Sequence, residues 1–109
     1  MKPPTKKYQY IYISGPMTGL PKHNYPAFNK AADALRKKGY KVINPAELDG
    51  TNKTDMTWVS CLRRDLKCIV TKCFAVATLP GWKKSKGALL EIHVARELNM
   101  PIHPVKYYL

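Results

Sequence analysis

Glu91 follows Gly87 by four residues and Ser85 by six, in a stretch that reads Ser85-Lys86-Gly87-Ala88-Leu89-Leu90-Glu91. At helical spacing Gly87 and Glu91 lie one turn apart on one line. A helix N-terminus presents unpaired N–H groups and a partial positive charge. Ser85 adds a hydroxyl there, and Gly87 lets a ligand approach the backbone closely. Lys83, Lys84 and Lys86 raise the local potential. Together they describe a phosphate cradle with a carboxylate one turn beneath it. That carboxylate could attack, or electrostatically support, a sugar carbon. The same residues also describe a serine N-cap beside solvated lysines, and a surface glutamate paired with one of them. A second turn, Ser14-Gly15-Pro16-Met17, ends the β-rich run that contains Tyr12. It has neither the Gly-x-Gly-x-x-Gly of dinucleotide folds nor the spacing of a P-loop.

These residues need elements to position them. Residues 8–14 read as a strand stopped at Gly15-Pro16. Asn24 is an N-cap candidate with Pro26 in the first turn, and Ala27, Phe28, Ala31, Ala32 and Leu35 recur at helical spacing as far as Gly39. Tyr40–Asn44 is a short strand ended by Pro45, and residues 46–55 read as a polar loop. A second helix starts near Asp55 or Thr57 and reaches Lys72. Its apolar stripe is Trp58, Leu62, Leu66 and Ile69, with Trp58 in the core. Residues 73–79, continuously apolar, suit a strand buried on both faces. Pro80-Gly81-Trp82 breaks it, and a third helix runs from Ser85 to Leu98. Met100–Val105 is an edge strand, interrupted by Pro101 and Pro104. The alternation β-α-β-α-β-α-β implies a parallel sheet with crossover helices. In such sheets ligands bind beyond the carboxyl ends of the strands. That gathers Ser14–Gly19, Asn44–Glu47 and Leu79–Ser85 around one crevice, with Trp82 a candidate wall for a base pocket.

The chain has 109 residues and a mass of 12.4 kDa, enough for one domain. Residues 1–7 are basic, proline-containing and read as a flexible terminus; 8–109 form the domain. Hydrophobic residues make up 45% and charged ones 24%, which excludes wholesale disorder. No apolar run reaches membrane-spanning length, and the N-terminus lacks the apolar core of a signal peptide. A cytoplasmic protein is expected. Cys61, Cys68 and Cys73 form no Cys-x-x-Cys, and His23, His93 and His103 are scattered, so free thiols and no metal are expected. Nineteen basic residues against seven acidic give a net charge of +12. Such a field attracts polyanions or small phosphorylated ligands.

Three segments together resemble a known family: Tyr12-Ile13-Ser14-Gly15-Pro16-Met17-Thr18-Gly19, then Val42-Ile43-Asn44-Pro45, then Leu79-Pro80-Gly81-Trp82 with Ser85-x-Gly87-Ala88 and Glu91. They are similar to the nucleoside 2-deoxyribosyltransferase-like superfamily, and within it to small phage and prophage proteins of the DUF4406 type. The resemblance spans about residues 8–103. It implies a single-domain, flavodoxin-like α/β sandwich of three layers with a parallel sheet of four or five strands. It also implies cleavage or transfer of the N-glycosidic bond of a nucleoside or nucleoside monophosphate. Glu91 would be the nucleophile at the anomeric carbon, Tyr12 would sit beside it and the sugar, and Ser85 and Gly87 would hold a 5′-phosphate. Ser14, Gly15, Pro16, Met17, Asn44, Pro45, Gly81 and Trp82 would complete the substrate site. The resemblance further implies a homodimer or higher oligomer, in the host cytoplasm if the chain is phage-encoded.

The sequence departs from that pattern at one place. Where the family carries an aspartate on the third strand, five residues before the leucine of Leu-Pro, this chain has Phe74. Asp65 on the second helix is the nearest substitute. Met17–His23 does not reproduce the glycine- and arginine-rich loop of the monophosphate hydrolases, and Lys22 and His23 stand in its place. The chemistry suits the residues. An N-glycoside breaks through an oxocarbenium-like state that a carboxylate traps or stabilises, and a phosphate anchor positions the sugar. No cofactor is needed. A nucleotide binder without turnover is the alternative that Phe74 motivates. A basic nucleic-acid binder is the less favoured one, since no recognisable nucleic-acid module is present.

Overall fold

The computed structural model describes residues 7–51 and 56–109. The basic segment 1–6 and the Asp55 helix start lie outside them. β1 (Tyr10–Ser14), β2 (Lys41–Ile43), β3 (Cys73–Thr78) and β4 (Ile102–Pro104) form one parallel sheet in the order β2-β1-β3-β4. This is a single-domain, flavodoxin-like arrangement, with strand order reversing between β1 and β3. β4 takes the edge, where Pro104 forfeits no ladder bond.

Helices cover both faces. α1 (Tyr25–Lys37) lays Phe28, Ala31, Ala32 and Leu35 against Ile11, Ile13, Ala75 and Ala77. α3 (Trp58–Lys72) and α4 (Lys86–Glu97) lay Ile69, Ile92 and Ala95 against Tyr12 and Val76. Two helices are capped by side chains their sequence offers, whereas Asn24, the cap candidate of α1, makes no capping bond. Thr57 accepts the Ser60 N–H to cap α3, and Ser85 accepts the Ala88 N–H at 3.2 Å to cap α4. α4 gives way at Asn99, which takes a left-handed φ of 58°.

Two helices depart from the expected plan. Residues 46–51, the described part of the expected 46–55 loop, belong to α2 (Pro45–Thr51). The Asn44 side-chain oxygen accepts the Ala46 N–H at 3.0 Å, so Asn-Pro acts as cap and first turn. α5 (Val105–Tyr108) follows β4, and the buried Tyr108 hydroxyl donates to the Val76 carbonyl at 2.8 Å.

The register between β1 and β3 contains an irregularity that matters for the site. Tyr10 is opposite Cys73, but Ile11 is opposite Ala75, so Phe74 is the extra residue of a bulge. From there Ile11, Ile13, Ala75 and Ala77 join the α1 cluster, while Tyr12 and Val76 join the α3–α4 cluster. Phe74 belongs to the first cluster, 7% exposed.

Candidate functional site

β1 brings two hydroxyls to one carboxylate. The Tyr12 hydroxyl donates to Glu91 Oε2 at 2.7 Å, and the Ser14 hydroxyl donates to Glu91 Oε1 at 2.8 Å. Tyr12 and Ser14 are two apart on a strand, so their side chains share a face. α4 supplies Glu91 six residues below its serine cap. All three side chains are buried. Burial dominates the electrostatics and pushes the Glu91 carboxyl up to about 8, against the two hydroxyl donors and Arg64, which favour its ionised form. The Tyr12 hydroxyl is raised well above its ordinary value, by burial first and by the Glu91 and Asp65 carboxylates next.

Glu91 forms part of the wall of a cavity of about 270 Å³ at the carboxyl ends of β1 and β3. α4 contributes Ser85, Gly87 and Ala88 at its N-terminal end. α3 contributes Trp58, Cys61, Leu62 and Asp65, and α2 contributes Pro45 and Asp49. The turn after β1 closes another side with Gly15, Met17, Thr18 and His23. That turn must pack tightly: a Cβ on Gly15 would stand 2.7 Å from Leu79 Cβ. Past it, Lys22, His23 and Asn24 hold three consecutive left-handed φ values of 53°, 52° and 60°. Each is an uncommon conformation for a residue with a side chain. The Asn24 amide, donating to the Pro16 carbonyl at 2.9 Å, ties this segment to the turn.

A second polar group borders the first. Arg64 Nη2 bridges Asp49 Oδ1 at 2.6 Å and Asp65 Oδ1 at 2.8 Å, and Arg64 Nε also reaches Asp65 Oδ1, at 2.9 Å. The Tyr25 hydroxyl donates to the other Asp49 oxygen at 2.8 Å, and burial with that bond pushes Tyr25 up to about 12. Burial raises Asp65 as well, with Arg64 pulling it back. Among the described residues, Arg64 Nη1 is the one buried side-chain nitrogen or oxygen without a hydrogen-bond partner.

The structure therefore gathers Tyr12, Gly15, Met17, Pro45, Asp65, Ser85, Gly87 and Glu91 around one cavity. Ser14 lies behind it, against Glu91. Pro16 and Gly81 stand outside the lining and serve the turns that shape it, Gly81 with a φ of +87°. Asn44 is buried outside it, its amide donating to Asn29 Oδ1 and its oxygen capping α2. The two tryptophans exchange the places their sequence suggested. Trp58 is 42% exposed, because the first turn of α3 lies at the cavity, and it lines the mouth. Trp82 is half-buried against the α3–α4 cluster and lies outside the lining.

Phe74 is also absent from the lining, since the bulge turns it toward α1. An aspartate there would face core rather than the cavity. Asp49 and Tyr25 were missed by sequence reasoning; the Asn44-Pro45 cap was the signal that would have found α2 and Asp49 with it. Of the two residues standing in for the phosphate loop, His23 lines the cavity and Lys22 does not. The three cysteines are free thiols, and Cys61 lines the cavity with its thiol raised by burial. No group of three metal-ligating side chains occurs among the described residues, and no helix there is long and apolar enough to cross a membrane.

A parallel α/β domain with a carboxyl-centred cavity at the β1/β3 switch point defines the class of this protein. Its sequence places it further. The chain belongs to the DUF4406 family, a domain of unknown function, whose profile matches residues 9–104. No curated protein matches the chain.

Proposed function

We propose that the protein cleaves or transfers the N-glycosidic bond of a nucleoside 5′-monophosphate, with Glu91 as the attacking carboxylate. The observation that carries this reading is the Glu91 carboxyl itself. It is buried on a cavity wall, held by one hydroxyl on each oxygen, and set one turn below a serine-capped helix N-terminus. The four residues from Gly87 to Glu91 rise about 6 Å along a helix, a span that a ribose 5′-phosphate bridges. The similarity of these segments to nucleoside 2-deoxyribosyltransferase-like proteins supports the same assignment.

In this reading the phosphate meets the Ser85 hydroxyl and the first N–H groups of α4, with Lys83, Lys84 and Lys86 adding charge outside. A Glu91 oxygen then approaches the anomeric carbon. The bond to the base nitrogen breaks with its electron pair, and the base takes up a proton as it leaves. The glycosyl ester is released by water in a hydrolase, or by a second base in a transferase. Tyr12 and Ser14 position the carboxylate and keep one lone pair of each oxygen occupied. Since burial holds the Glu91 proton up to about pH 8, turnover rises with pH toward that value.

Purified protein incubated with ribo- and deoxyribonucleoside monophosphates, with free base followed by chromatography, tests the proposal. Base release that disappears in Glu91→Gln supports it. Binding without base release, unchanged in Glu91→Gln, would replace it with a nucleotide-sequestering role.

A further inference from the structure

Three short stretches that interleave lysine with tyrosine converge at one side of the domain. They are Lys7-Tyr8-Gln9-Tyr10, Lys37-Lys38-Gly39-Tyr40-Lys41 and Lys106-Tyr107-Tyr108. Strand pairing joins the first two, with Tyr10 opposite Lys41, and Lys41 Nζ donates to Gln9 Oε1 at 2.8 Å. Ring contact joins the second to the third, where Tyr40 meets Tyr108 edge-on at 6.0 Å. None of these residues lines the cavity. The cavity opens at the carboxyl ends of β1 and β3, whereas the first two stretches lead into the amino ends of β1 and β2.

All five lysines are exposed. Lys37 and Lys38 suit the C-terminal end of α1, but Lys7 and Lys41 lie on no helix and owe nothing to a helix dipole. Carboxylates are concentrated elsewhere. Among the described residues, Asp49, Asp65 and Glu91 are buried at the cavity and Glu47 is bound by Arg36, which leaves Asp33 and Glu97 exposed. The rings are presented together with the charges. Lys7 Nζ stands 5.4 Å from the Tyr8 centroid, and Lys41 Nζ stands 5.9 Å from that of Tyr10. Tyr107 is 54% exposed, and the His103 ring stacks on one of its faces at 3.7 Å. A ring backed in this way loses little freedom when a base stacks on its other face. Lysines serve the phosphates of any nucleic acid. Rings serve only unpaired bases, since a duplex hides the faces of its bases.

We infer that this face binds single-stranded nucleic acid, its bases stacking on Tyr107 and Tyr40 and its phosphates meeting Lys7, Lys38, Lys41 and Lys106. The inference is independent of the glycosidic reading, because the face and the cavity share no residue.

Fluorescence anisotropy of the full chain with a labelled oligothymidylate of about 12 nucleotides, repeated across a salt series, tests it. Four phosphate contacts on a single strand give a slope of log K against log salt of about −3. Lys7→Ala combined with Lys41→Ala brings that slope to roughly half. Tyr107→Ala weakens binding by about fivefold or more and leaves the slope unchanged. Circular dichroism accompanies the variants. The unaltered protein binds the single strand at least about tenfold more tightly than a duplex of the same length, a comparison that needs no variant. Equal binding to the duplex, with Tyr107→Ala indifferent, would reduce the face to an unspecific cationic shell and overturn the inference. Binding to phosphatidylserine vesicles without binding to the oligonucleotide would overturn it in favour of a membrane surface. Displacement of the oligonucleotide by an excess of TMP would overturn it by placing the strand at the cavity, and so would the absence of any binding at low salt.

Discussion

Replacing Glu91 with glutamine keeps the size and the oxygen that Tyr12 donates to, and removes the ionisation. In the folded protein burial raises this carboxyl from 4.5 to about 8. The native state therefore binds the proton more tightly than the unfolded chain does. The resulting stabilisation is fully present below about pH 4.5 and is lost as pH rises through about 8. Within that window one proton is taken up per molecule folded, so each rise of one pH unit removes about 1.4 kcal/mol. Between pH 5 and pH 7 the loss is roughly 3 kcal/mol, and in a domain of this size that lowers Tm by roughly 10 °C. Glu91→Gln has no proton to lose. Thermal melts of both proteins at half-unit pH steps give the difference curve, in which all other titrating groups cancel. The unaltered protein loses stability relative to the variant across the window. Parallel curves from pH 5 to pH 8 would show that Glu91 is not held as a buried acid, and would remove the basis for an alkaline-rising rate.

Tyr12→Phe deletes one of the two donors that favour the Glu91 anion. A hydrogen bond to a charged group contributes about 1.5–3 kcal/mol, so the upper end of the same pH window moves up by roughly one to two units. Gly15→Ala forces a methyl against Leu79 and destabilises by roughly 1–3 kcal/mol, read as a lower midpoint in urea; an unchanged midpoint would mean the turn after β1 gives way freely. Phe74→Asp removes a core ring, at about 3–5 kcal/mol, and buries an unpaired charge besides. It yields an unfolded or barely folded chain, and a folded variant with faster base release would return position 74 to the site.

The parts of the site that were legible in the sequence are those set by local chemistry. Ser85, Gly87 and Glu91 sit on one helix, where cap and spacing suffice. Tyr12 and Ser14 were singled out by the resemblance alone, and strand parity explains why they share a face. The continuous apolar run marked β3, yet it could not show the bulge, because only pairing with β1 reveals that Tyr10 to Ile11 spans Cys73 to Ala75. The meaning of Phe74 depended on that one residue. α2 has seven residues and an internal glycine, too short for a periodic signal, and what holds it is a side-chain cap rather than propensity. Trp58 and Trp82 exchanged roles because both punctuate helices, and burial there depends on how far a helix end overhangs the sheet.

The contrast between the lysines and the cavity wall has a kinetic consequence. Every lysine among the described residues is exposed, whereas the carboxyl groups of Asp49, Asp65 and Glu91 are buried. The two fields therefore act at different ranges. At physiological salt the shell reaches only about 8 Å into solvent, and added salt shortens that reach further. The buried groups are shielded from mobile ions. A ligand with a negative tail and a donor-rich head is drawn in by the outer field and turned by the inner one, so its polarity is sorted on the way in. Raising ionic strength slows association and leaves discrimination between ligand heads nearly constant. Polyanions compete for the shell alone, since none of their interior phosphates can be accompanied into a space of about 270 Å³.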